Sequence, residues 1–271
     1  ALRIHGRLLR QLQLPPVDDA WMERSLASLA GGFDPRDYAQ GRSADFGHGA
    51  GGQRFRVNLF RHRGGEALVI RHLGSDYGSI ESLGLPSAVR RLAEFDAGLV
   101  LVVGATGSGK STTLASLINM INQDAHRHIL TIEDPVEYHM PLVRQVRLNE
   151  RAGMSFASAV KGFLRQDPDV MLVGEIRDSE TATMAVRAAQ TGHLVPATLH
   201  TNDAVGAIGR LRDLGVPSYL LSASLRGVIA QRLLRRLCMQ CRVPAGGHRF
   251  KAVGCERCNG TGYRSRLAVG E

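Results

Sequence analysis

A chain of 271 residues with 44 % hydrophobic and 22 % charged side chains has an ordinary globular composition, with room for one large domain or two modest ones. No apolar run approaches the roughly 20 residues that cross a bilayer and no leader pattern opens the chain, so any membrane association is expected to be peripheral. All four cysteines lie in the last 34 residues, which argues against a disulfide framework and for a reducing cytosol, while the net charge of +9 fits nucleic acid, an anionic membrane surface or arginine-rich subunit contacts equally well.

The first segment, Leu2 to Leu9, reads as a strand entered halfway through a hairpin, and without an initiating methionine the chain reads as a piece of something longer. A helix is expected from Trp21 to Leu29. Alternating strands Arg54 to Phe60 and Ala67 to Arg71 flank Arg61-His62-Arg63-Gly64-Gly65, a hairpin turn. Residues 1–94 thus read as a small α+β domain, 95–236 as a second domain and 237–271 as a cysteine-bearing appendage.

The second domain alternates strand and helix. Gly98 to Val103 is a buried strand, and a helix from Lys110 carries Leu114, Leu117, Ile118 and Ile121 on one face. His128 to Ile132, Val170 to Val173 and His193 to Leu199 are short apolar runs suited to parallel strands, the last weakened by Pro196. Ser179 can cap a helix ending near Gly192, and Asp203 another ending near Gly215. The pattern is a doubly wound α/β core, in which ligands bind beyond the carboxyl ends of the strands.

Between the first strand and its helix stands Gly104-Ala105-Thr106-Gly107-Ser108-Gly109-Lys110-Ser111-Thr112, which satisfies G-x-x-x-x-G-K-[ST] in the strand-to-helix setting that motif requires. Glycines let the backbone wrap phosphates, free amides and the helix dipole favour anions, Lys110 reaches the outer phosphates and Ser111 holds Mg²⁺. The bland alternative is a glycine-rich loop with a fortuitous lysine; the chain has only three lysines among 34 basic residues, and one falls here.

Three further blocks follow. Glu133-Asp134-Pro135-Val136-Glu137 can orient or deprotonate an attacking water, or be a solvated acidic turn. Glu175, after the strand Val170 to Val173, suits a carboxylate that acts on Mg²⁺ or its water, or is merely a charged strand end. His193 and His200 flank the next strand and can sense a γ-phosphate, or be structural. Finally, Cys238-x2-Cys241 and Cys255-x2-Cys258 form two knuckles with the spacing of a closed, structural tetrahedral zinc site; disulfides or unligated pairs are the alternatives.

Taken in order, Gly104 to Leu114, Leu130 to Glu137, Leu164 to Asp178 and Thr191 to Asn202 resemble the four boxes of the type II secretion and type IV pilus traffic ATPases, and the resemblance covers nearly all of residues 54–271. It implies a RecA-like P-loop NTPase core, a PAS-like α+β N-terminal domain, a small zinc-binding insert and a homo-hexamer. ATP is the implied substrate, with Mg²⁺ and structural Zn²⁺ as the metals. It assigns Lys110 and Ser111 to phosphate and Mg²⁺, Glu133 to general-base work, Glu175 to the Walker B carboxylate and His193 and His200 to coupling between neighbours. Arg56 and Arg71 match the two N-terminal arginines that reach the phosphates, where a permanently charged guanidinium suits the transferring group. The cysteines match the secretion and assembly branch. Two features depart from that pattern: the spacing between knuckles is shorter than the family often shows, and Phe55 to Phe60 resembles the retraction ATPases at least as well.

The implied function is a cytoplasmic motor, peripheral at the inner membrane, that hydrolyses ATP to drive pseudopilus or pilus assembly through an inner-membrane platform protein. A retraction motor is the near alternative. A nucleic-acid motor would need basic clusters interleaved with aromatics, which at 5 % cluster nowhere; a small-molecule kinase would leave the histidine box without a job.

Overall fold

The computed structural model describes residues 2–4, 7–9, 13–33, 38, 41, 43–74, 77–123 and 126–271. It divides into two compact units: Ala1–Ala50 with Phe55–Arg71 and Arg235–Arg266, and Gly51–Arg54 with His72–Leu234 and Leu267–Glu271.

In the first unit, the opening segment is a complete pair of short antiparallel strands, β1 (Leu2–Ile4) and β2 (Arg7–Leu9), rather than half of a hairpin; His5 and Gly6 lie outside the described residues. Helix α1 (Asp19–Leu29) starts two residues ahead of the expected Trp21, because the Asp18 carboxylate caps it by accepting the Trp21 N–H. Strands β3 (Ala44–Ala50), β4 (Gln53–His62) and β5 (Gly65–Leu73) form a sheet in that order. Its core is Leu29, Tyr38, Phe46, Val57 and Leu59, with Phe33 stacked on Phe46 at 5.6 Å between centroids.

The second unit is built on one seven-stranded sheet. Strand β6 (Gly98–Val103) leads through the glycine-rich loop into α2 (Lys110–Asn122); β7 (Ile129–Glu133), β8 (Arg144–Arg147), α3 (Phe156–Phe163), β9 (Val170–Val173), α4 (Ser179–Gln190), β10 (Leu194–Leu199), α5 (Ala204–Asp213), α6 (Ser218–Ser224) and β11 (Leu225–Leu237) follow. The pairings of β11, β6, β10, β9, β7 and β8 are all parallel. All six β6 residues are buried, and they alternate between two cores: Leu99, Leu101 and Val103 pack with α3 and α4 residues such as Val160 and Val186, Val100 and Val102 with Leu114, Leu117 and Ile118 of α2. Helices cover both faces, as parallel sheets require. The boundary expected near residue 94 falls inside this unit, where Ile80, Leu85 and Val89 share the α2-side core.

One local expectation needs correction. The cap of α4 is Asp178, not Ser179: its carboxylate accepts the Thr181 N–H at 2.8 Å and the Thr181 hydroxyl at 3.1 Å, geometry a residue already inside the helix cannot offer. Pro196 sits in the fully buried interior strand β10, in register with Val100 of β6; towards β9 the pairs are Leu194 with Val170 and Ala197 with Val173, and the proline, having no N–H, lies between them.

After β11 come β12 (Val243–Pro244) and β13 (Phe250–Lys251), an antiparallel pair between the two cysteine knuckles, and then β14 (Tyr263–Gly270), which returns to the edge of the large sheet beside β11.

Candidate functional site

The phosphate loop is built by its glycines and closed from the side by β11. Gly104 and Gly109 have φ of +143° and +92°, where a side chain is strained, and a Cβ on either would strike Gln231, at 2.4 Å from its carbonyl oxygen and 2.7 Å from its Nε2. Gln231 itself is buried; its Nε2 donates to the Ser108 carbonyl at 2.8 Å and its Oε1 accepts the Thr113 hydroxyl at 2.7 Å. This clamp went unnoticed in the sequence because a lone glutamine on a strand of arginines and leucines has no local signature.

Lys110, the first residue of α2, is buried and donates its Nζ to the Gly104 carbonyl at 2.8 Å and the Ala105 carbonyl at 3.2 Å. Burial lowers its pKa, and the charge of Glu175 pushes it back up. The Ser108 hydroxyl is buried with no hydrogen-bond partner in the structure, while Ala105, Thr106, Gly107 and Ser111 are exposed. A concave loop with an orphaned hydroxyl, a folded ammonium and the open N-terminus of a thirteen-residue helix fits the phosphates of a nucleotide.

The acidic residues lie where the neighbouring strands end. Glu133 closes β7, and its Oε1 accepts from Thr131 Oγ1 at 2.6 Å and Gln145 Nε2 at 3.0 Å. Burial raises its pKa, against the lowering effect of those two donors. Glu175 follows β9 and pairs with Arg177 Nε at 2.7 Å, and its other oxygen lies 2.9 Å from His200 Nε2. Thr198 Oγ1 donates to the Gly174 carbonyl and Ile176 N–H to the Thr198 carbonyl, which fixes the Glu175 turn against β10. The exposed Ser111 hydroxyl and the Glu175 carboxylate are oxygen donors of the type Mg²⁺ takes.

The two histidines part company. His200 stands just after β10, at the same end as Glu175. His193 precedes β10, in register terms beside Gly98 at the opposite end of the sheet, roughly 20 Å of strand away. Its ring nitrogen Nδ1 contacts the Ala188 carbonyl at 3.0 Å and Thr191 Oγ1 at 3.2 Å. The two histidines that flank the strand are thus separated by its full length, and only His200 stands at the carboxyl end, where ligands bind in such sheets. In the first unit, Arg56 makes a bidentate pair with Asp45, and Arg71 is exposed on β5. Arg54, which belongs to the second unit, donates to the Val136 carbonyl in the turn after Glu133, a contact with no local signature in the sequence.

The four cysteines do assemble. Their sulfurs lie within 4.8 Å of one another, with Cys238–Cys255 at 3.9 Å and Cys241–Cys258 and Cys255–Cys258 at 3.8 Å. Tetrahedral zinc with Zn–S of about 2.3 Å sets the S···S separation at roughly 3.8 Å. Backbone N–H groups of Gly254, Cys255 and Gly262 point at the sulfurs of Cys241 and Cys258, as thiolates in knuckle turns accept them. The separations are far beyond an S–S bond of about 2.05 Å, which removes the disulfide alternative. The set fits zinc.

With this geometry in view, comparisons place the chain. A curated relative, the type II secretion system protein HxcR of Pseudomonas aeruginosa, is 50 % identical over 215 residues, covering 76 % of this chain and 45 % of its own length. The type IV pilus assembly ATPase PilB of Thermus thermophilus is 47 % identical over 231 residues, covering 76 % of this chain and 26 % of its own. A solved structure of the pilus retraction motor PilT with bound ADP superposes with a TM-score of 0.78 at 39 % identity, over 92 % of this chain and 73 % of that one. The chain spans less than half the length of these curated relatives. The family model for type II/IV secretion system proteins matches residues 47–271, and the chain belongs to that family.

Proposed function

We propose that this chain is the nucleotide-hydrolysing part of a motor that powers assembly of a pseudopilus or pilus. The observation that carries the reading is the phosphate loop at the end of β6 with Glu175 and Glu133 at the ends of β9 and β7 in the same parallel sheet. In this reading Gly104 to Thr112 bind the ATP phosphates, and Lys110 leaves the Gly104 and Ala105 carbonyls to meet the outer ones. Ser111 and Glu175 hold Mg²⁺, which when bound neutralises charge on the phosphate oxygens. Glu133 takes the proton of the attacking water. His200, paired to Glu175, reports nucleotide state; the roles of His193, Arg56 and Arg71 rest on the resemblance. The cysteine module, 237–271, is held by zinc and is structural, since four thiolates leave no open position.

The finer reading is a cytoplasmic homo-hexamer, peripheral at the inner membrane, pushing on a platform protein. The names of the relatives support a secretion or pilus-assembly system and the cysteine module favours assembly; the hexamer, the location and the platform partner rest on the family resemblance. The retraction motor is the second reading, favoured by the PilT superposition. The test is ATP turnover by the full-length protein: Lys110→Ala should abolish both nucleotide binding and hydrolysis, and retained binding with full turnover would refute the site.

A further inference from the structure

We propose that Gln145 is a positioning residue for the reaction at Glu133: its side-chain amide holds Oε1 of that carboxylate and ties it, through Tyr138, to the first turn of the helix that carries the phosphate loop. The inference rests on the reading of Glu133 as the base. Gln145 is the second residue of β8, in register with Thr131 on β7, so the two side chains stand beside each other and both donate to Glu133 Oε1.

The orientation of the amide is dictated by backbone groups that have no choice of role. The Met140 N–H can only donate, and it reaches Gln145 Oε1 at 2.9 Å. The Tyr138 carbonyl can only accept, and it takes Nε2 at 2.8 Å. Nε2 is therefore the end that faces Glu133, and a flipped amide would break both backbone contacts. The same Tyr138 carries a hydroxyl 3.0 Å from Thr112 Oγ1, two residues after Lys110, and its ring meets Tyr77 edge-on at 5.6 Å. Tyr77 in turn donates to Asn119 on α2. A shift of the α2 N-terminus on phosphate binding would thus reach Glu133 through Tyr138 and one amide.

The chemistry explains why a glutamine suits the position. Burial favours the protonated form of Glu133, which cannot act as a base, and an N–H donor to Oε1 favours the ionised form. The charged groups around it are Glu137 on its own turn, Arg147 opposite it in register on β8 and Glu175 beyond the end of β9. Gln145 and Thr131 add stabilisation of the carboxylate without adding charge that would compete for the phosphates.

The experiment is the pH dependence of kcat in the full-length protein for Gln145→Glu, Gln145→Ala and Tyr138→Phe, with ADP affinity measured alongside. Gln145→Glu keeps an acceptor for Met140 N–H and replaces the donor by a carboxylate; Gln145→Ala removes both. Either should move the acid limb upward by about one to two pH units, the equivalent of one hydrogen bond to a charged group. KM and ADP affinity should change less than about twofold, and the activity lost at neutral pH should return as pH rises, which a folding defect would not allow. Tyr138→Phe should lower kcat several-fold with the acid limb in place, because the carbonyl that orients Gln145 is kept. An unmoved acid limb in both Gln145 variants overturns the positioning role, and a wild-type kcat in Tyr138→Phe overturns the tether. Glu133→Gln separates the levels: if it turns over ATP normally, the base reading itself falls; if it is inactive while the Gln145 variants match wild type, only this proposal does.

Discussion

Gln231→Leu removes the clamp between β11 and the phosphate loop while keeping nearly the same volume. In the wild type both ends of the amide are used, on a hydroxyl that is fully buried and on the Ser108 carbonyl. A buried polar group stripped of its partner costs about 1–3 kcal/mol. The Thr113 hydroxyl has a fallback, since a helical threonine can turn to the carbonyl four residues back, here Gly109. The Ser108 carbonyl has none among the described contacts. The sum is a destabilisation of about 2–4 kcal/mol, or roughly 5–10 °C in melting temperature for a domain of this size. Thermal denaturation of Gln231→Leu, Thr113→Val and the double variant measures it. Since exchanging both partners for apolar groups is far cheaper than removing one, the double variant should be less destabilised than the sum of the singles. A wild-type melting temperature for Gln231→Leu, or strict additivity, would refute the clamp.

Three further outcomes follow from the same structure. Metal analysis of protein prepared without chelators should find about one zinc per chain, and Cys258→Ala should lose it; a metal-free wild type would remove the zinc assignment. Glu133→Gln should melt higher than wild type at neutral pH, because a carboxyl whose folded pKa is raised favours the fold only below its unfolded value and loses that contribution as pH rises through the folded one. The gain should vanish on acidification towards pH 4.5, the ordinary carboxyl value, and a gain independent of pH would contradict the burial argument. Asp178→Ala should cost about 1 kcal/mol by uncapping α4 while Ser179→Ala costs little, as urea melts of each would show; equal costs would restore Ser179 as the cap.

Much of the second unit was legible because its signals are local. A run such as Val170 to Val173 has no polar face to hide, and the phosphate loop states its own strand-to-helix setting. The cysteine pairs were legible for a similar reason, since two residues between ligands fix a knuckle whatever the rest of the chain does. What escaped depends on contacts distant in sequence. Gln231 meets Ser108 across 123 positions, and Gln145 and Glu133 face each other because β7 and β8 run in register. His193 and His200 read as one block in the sequence, yet the six-residue strand between them sets them at opposite ends of the sheet. Arg54 and Arg56, two apart on β4, share one face of the strand, and only partners distant in sequence, the Val136 carbonyl and Asp45, tell them apart.

The account turns on Glu133 and the phosphate loop acting on one nucleotide. Single-turnover hydrolysis of ATP by full-length Glu133→Gln, with ATP affinity measured on the same preparation, tests this directly. The account predicts a loss of about 10²–10⁴-fold in the hydrolytic step with affinity essentially unchanged. Hydrolysis at the wild-type rate would contradict it.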